Sequence, residues 1–92
     1  MMNKFLDYAS GMYFMADYIK VRQALNNLEC RNTKGEAISW SEYYTLLNLP
    51  TPMFLPRLLI GQPMHGYQFR FDLRPSNDED CVIIFIDAGE WS

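Results

Sequence analysis

The chain has 92 residues, 49% of them hydrophobic and 15% aromatic, with a formal net charge of −3. That length makes one domain, residues 1–92, with a thin core. The apolar content excludes a disordered chain, and the acidic balance gives no general attraction to a phosphate backbone.

Residues 3–30 hold no proline and many helix formers, and Asn32–Thr33–Lys34–Gly35 closes the stretch with turn chemistry. The spacing predicts a long helix. At about 100° per residue, Phe5, Tyr8, Ala9, Met12, Met15, Ala16 and Ile19 share one side. After Asp17 the pattern turns over, with Tyr18, Val21, Leu25 and Leu28 on the side that was polar. One straight helix cannot bury opposite faces at its two ends, so the helix either breaks near residues 17–20 or packs against two bodies. Asp7 and Asp17 also interrupt the apolar run. The stretch therefore reads neither as a signal peptide nor as a membrane span of about 20 apolar residues. A cytoplasmic setting with Cys30 and Cys81 as reduced thiols is the corresponding expectation.

Ser39 with Glu42 three residues on reads as a capping box, and Ile38 with Tyr43 as a hydrophobic staple. Trp40, Tyr43, Tyr44 and Leu47 make one apolar stripe of a short helix, which Pro50 stops at Asn48 or Leu49. Thr51–Pro52 reads as the start of another short helix through Ile60, closed by Gly61, with Pro56 distorting it. Residues 62–66 form a loop. Residues 67–74 alternate strictly, Tyr67, Phe69, Phe71 and Leu73 against Gln68, Arg70, Asp72 and Arg74, as in a half-buried strand. Residues 75–80 are an acidic connection, and Cys81 to Ile86 are apolar on both faces, as in a strand covered on both sides. The expected fold is α+β: a long or broken N-terminal helix, two short helices and a C-terminal antiparallel β-hairpin. Two strands alone are marginal, so a homodimer completing the sheet is the economical solution, and a partner docking on its edge the other.

Few residues offer chemistry. His65 is the only histidine. As a general base it needs a nucleophile and an orienting carboxylate, for which Cys81, Asp72 and Asp87 are the candidates. One His and two distant Cys make no zinc site. Asp78, Glu79 and Asp80 lack the spacing of a calcium loop, and Asp72 and Asp87 are not opposed in a simple hairpin. No catalytic, metal or cofactor site is expected. The helices at 40–48 and 52–60 invite a helix-turn-helix reading, but Met53–Phe54–Leu55 and Leu58–Leu59–Ile60 are too apolar for a recognition helix.

By elimination, the expected function is stoichiometric protein binding, as an inhibitor, adaptor or immunity-type factor of the sort phages and mobile elements carry. A small hydrolase or nuclease-like toxin using His65, and a DNA-binding regulator using residues 40–60, are the alternatives. Charge guides the placement of the partner. Residues 1–35 carry five bases and three acids (+2), whereas residues 36–92 carry three bases and eight acids (−5). Phe54 and Met64 are the expected apolar anchors, and Asp78, Glu79 and Asp80 the groups that steer a basic partner.

Overall fold

Asp17 is where the chain changes state, and the change is larger than a broken helix. The computed structural model describes residues 2–53, 59–77 and 80–87. In it residues 2–17 are a β-hairpin: β1 (Met2–Asp7) pairs antiparallel with β2 (Met12–Asp17), Phe5 opposite Phe14 and Asp7 opposite Met12. The long N-terminal helix is thereby overturned. Helix geometry fails at Ser10–Gly11. Gly11 has φ +77°, a left-handed conformation that suits glycine. Ser10 donates both its N–H (3.2 Å) and its hydroxyl (2.6 Å) to Asp7 Oδ2, and the Gly11 N–H reaches the Asp7 carbonyl at 2.8 Å.

The Asp17 carboxylate then accepts the N–H groups of Ile19 (2.9 Å) and Lys20 (3.2 Å) and caps α1 (Tyr18–Thr33). The Lys20 bond, ahead of that from Ile19, holds this carboxyl below the usual aspartate range. Val21, Leu25, Leu28 and Asn32 form the buried stripe of the helix. The apparent reversal of faces at Asp17 is therefore the junction between a two-residue and a 3.6-residue period.

Beyond α1, β3 (Ile38–Ser39) leads into α2 (Trp40–Leu46). Ser39 Oγ accepts the Glu42 N–H at 3.1 Å, so the expected cap is present. The Glu42 side chain meets the Arg31 guanidinium, which Glu36 also engages. The helix ends by its own chemistry, four residues before the proline. Asn48 takes φ +58°, and the Leu49 N–H bonds to the Tyr44 carbonyl and the Asn48 N–H to that of Thr45, both at 3.0 Å.

The expected helix through Ile60 is also overturned, because Leu59–Gly61 is a strand, β4, paired antiparallel with β3. Residues 54–58 lie outside the described residues. A 3₁₀ turn (Pro63–His65) follows, then β5 (Arg70–Ser76) and β6 (Cys81–Asp87).

The main sheet has the order β2-β1-β6-β5. β5 and β6 pair antiparallel, and β6 runs parallel to β1 with Leu6 opposite Ile83. The expectation of an isolated C-terminal hairpin completed by a second copy is corrected: the N-terminal hairpin completes the sheet from within the chain. In the β5–β6 register Asp72 and Asp87 are not opposed, as expected. Pro75 lies inside β5, which a proline tolerates on an edge strand. Asp72 consequently stands opposite Phe85, and Asp87 opposite Arg70.

One face of the sheet is covered. Phe5, Val21, Leu25, Leu28, Ile38, Tyr43, Tyr44, Ile60, Phe69 and Ile84 form the core, with Phe14, Phe71, Leu73, Val82 and Ile86 packed against it. Phe5 stacks on Phe14 (5.3 Å between centroids) and Tyr18 (6.2 Å). Asn32, fully buried at the end of α1, ties three segments together. Its Nδ2 donates to the Glu36 carbonyl and its Oδ1 accepts the Phe69 N–H, each at 2.8 Å. Gly61 passes so close that a Cβ there would lie 2.3 Å from Asn32 Nδ2.

Candidate functional site: the uncovered sheet face

Strand parity decides which side chains face away from the core. Since Phe5, Phe14, Val82, Ile84, Phe71 and Leu73 face the helices, the register places Lys4, Leu6, Tyr13, Met15, Ile83, Phe85, Arg70, Asp72 and Arg74 on the opposite face. No described element covers it. A solvated antiparallel face normally carries polar residues. This one is largely apolar in β1, β2 and β6, and Met2 (60%), Tyr8 (65%) and Met15 (57%) are more than half exposed.

Side chains on this face are organised. Tyr8, from the β1–β2 turn, packs on Phe85 at 4.8 Å between centroids. The Arg74 guanidinium sits 4.8 Å from the Phe85 ring centre, and its Nε donates to Asp72 at 2.6 Å. The Lys4 ammonium lies 4.6 Å from the centre of the Tyr13 ring. Such cation–π pairs contribute about 0.5–1 kcal/mol at exposed sites. They hold long side chains flat across the sheet. A shallow depression of about 480 Å³ runs along β5 and β6, lined by Arg70, Asp72, Arg74, Phe85 and Asp87 among others.

The expected partner-binding residues do not assemble into one site. Met64 is 94% exposed in the 3₁₀ turn, beside a cleft of about 150 Å³ lined with Leu59 and Pro63. Asp80 is exposed in the β5–β6 turn at φ +47°. Phe54, Asp78 and Glu79 lie outside the described residues, as does Trp91. His65 is in the 3₁₀ turn, and Cys81 is buried at the start of β6. The helix-turn-helix reading loses the end of its second helix to β4. The exposed Arg70, Asp72 and Arg74 are as the alternation predicts. Sequence reasoning missed Lys4, Tyr8, Tyr13, Met15 and Phe85. Only the Ser10–Gly11 turn signal could have revealed the first four, by splitting residues 2–17 into two strands.

A second polar cluster lies on the covered side. Asp7 is fully buried, and its Oδ1 accepts the Tyr43 hydroxyl at 2.9 Å. Burial first, then the Asp7 charge, pushes the Tyr43 phenol well above the usual tyrosine range. Burial likewise raises Tyr44, whose hydroxyl has no hydrogen-bond partner among the described residues. This cluster fastens the β1–β2 turn to α2.

Among the described residues no group of three or more His, Cys, Asp or Glu side chains is placed to hold a metal ion, and no helix is long and apolar enough to cross a membrane. Compared with protein-family models, curated proteins and solved structures, the chain finds no match.

Proposed function

We propose that the protein is a non-enzymatic binding module that docks the uncovered face of its sheet onto a protein partner, and that it does so as a homodimer in the cytoplasm. The observation carrying this reading is the pre-organised apolar surface formed by Tyr8, Phe85 and Arg74, continuous with Leu6 and Ile83. Aromatic and arginine side chains fixed in place before contact lose little freedom on binding, which is what energetic hot spots need. The chemistry of the face favours protein over nucleic acid. Of its cations, Lys4 and Arg74 already rest on aromatic rings, Arg74 is neutralised by Asp72, and the chain carries −3 overall. A phosphate backbone would require an excess of free positive charge. Cys30 and Cys81 are free thiols, which fits a reducing compartment.

Differential capture tests the proposal. Wild-type protein, Tyr8→Ser with Arg74→Glu, and Met64→Lys are each immobilised and exposed to lysate. We expect proteins retained by the wild type to be lost from the Tyr8/Arg74 variant and kept by Met64→Lys. Loss from Met64→Lys alone would move the docking surface to the 3₁₀ turn.

A further inference from the structure

The two edges of the sheet are built differently. β5 is guarded: Arg70, Asp72 and Arg74 alternate along it and Pro75 removes a backbone donor. Charges and proline are the usual means of blocking strand addition. β2, with the sequence Met-Tyr-Phe-Met-Ala-Asp, has none of these along its length, and its single acid at the end is committed to capping α1. No described strand pairs with its outer side. Exposed apolar groups flank that edge on both faces. Met15 (57%) and Tyr13 (47%) lie on the uncovered face. On the helix side Leu46 (43%) stands over a groove of about 150 Å³ that Ala16, Val21, Ala24 and Leu47 help to line.

We infer that the outer edge of β2 binds the β2 edge of a second copy, antiparallel about a two-fold axis, so that two four-stranded sheets join into one of eight strands. This assigns a surface to the homodimer of the proposed function and rests on that part of it alone. A second copy fits this edge for three reasons. Identical strands related by a two-fold axis normal to the sheet are antiparallel, and the same patch serves both subunits. Centred near Phe14, the pairing holds the two Asp17 carboxylates at opposite ends, so no like charges meet despite the net −3 of each chain. Among the described strands, the only edges left in the eight-stranded product are the two guarded β5 strands, so the assembly closes at two.

Sedimentation equilibrium of the full chain, from about 1 to about 200 µM so that mass action is sampled, tests the inference. The wild type is expected to approach twice the 10.8 kDa chain mass. Met15→Lys brings two ammonium groups together beside the two-fold axis and is expected to weaken dimerisation by at least about tenfold. Arg74→Glu, on the opposite edge strand of the sheet, is expected to leave it unchanged. Circular dichroism and the melting midpoint confirm that each variant is folded. Where Met15→Lys lowers the midpoint, Leu46→Lys, from the other flank of the edge, replaces it with the same expectation. A wild-type monomer at the highest concentration, larger open-ended species, or a dimer lost in Arg74→Glu but kept in Met15→Lys would each overturn the inference. The partner-docking reading is judged separately, on Leu46→Lys: this variant is altered on the helix side, outside the docking face, and should still retain any partner that depends on Tyr8 and Arg74.

Discussion

Asp7 shows how one residue can set both stability and shape. Its carboxylate is fully buried, yet three donors, from Ser10 N–H, Ser10 hydroxyl and Tyr43 hydroxyl, satisfy it. Removing one donor from a buried charge leaves an uncompensated group. Tyr43→Phe is therefore expected to lower unfolding free energy at neutral pH by about 1.5–3 kcal/mol, read from urea denaturation. The same cluster sets an alkaline limit. Tyr43 and Tyr44 have raised pKa values in the folded state. Both phenols are neutral in folded and unfolded chains below about pH 10. Above that, the unfolded chain releases protons that the folded chain retains, so unfolding is favoured as pH rises. The contribution of these two phenols should be level below about pH 9, and stability should fall above pH 10 by about 1.4 kcal/mol per pH unit for each phenol kept neutral. Tyr43→Phe should show a shallower fall. A slope unchanged by that substitution would count against the burial of this phenol.

At the scale of elements, local signals held where each element could be closed by its own neighbours. The Ser39 cap and the apolar stripe of Trp40, Tyr43 and Tyr44 are written within a dozen residues, and α2 forms there. Ser39→Ala is expected to cost about 0.5–2 kcal/mol, and a denaturation midpoint equal to that of wild type would place the helix start elsewhere. The alternation of β5 is legible for the same reason, although its bounds shift by three residues at the start and two at the end. Residues 2–17 deceived because Phe5, Met12 and Met15 satisfy a helical spacing, while the strand parity of Phe5, Asp7, Met12, Phe14 and Ala16 includes a buried acid. A carboxylate on the apolar side reads as a break in a strand until its three donors are known. Gly11 was the discordant residue, since glycine within a helix costs about 1 kcal/mol relative to alanine.

For the whole molecule, the decisive contact is the parallel pairing of β1 with β6, first strand to last. Such non-local pairing closes a long loop before it is rewarded, so the sheet should form late and cooperatively. Hydrogen exchange followed by mass spectrometry is expected to show the slowest amides in β1 and β6, opening only with global unfolding. Rapid exchange is expected at Ala9, in the exposed β1–β2 turn. A single helix over residues 3–30 would instead protect Ala9 and its neighbours alike, and that pattern would refute the hairpin.

The sequence by itself determined the elements whose patterns are local: α2 with its cap, the buried stripe of α1, the alternating β5 and the doubly apolar β6. Its 49% hydrophobic content established that a core could form. Which apolar side chains stay outside that core is settled by the packing. Placing Tyr8 against Phe85 requires β1 to sit beside β6. That neighbour relation joins residues more than seventy positions apart, and no spacing rule in a single chain encodes it. The physical reason is that helix and strand periods are set by bonds between near neighbours, whereas the face a strand leaves uncovered is set by which distant strand and helix pack against it.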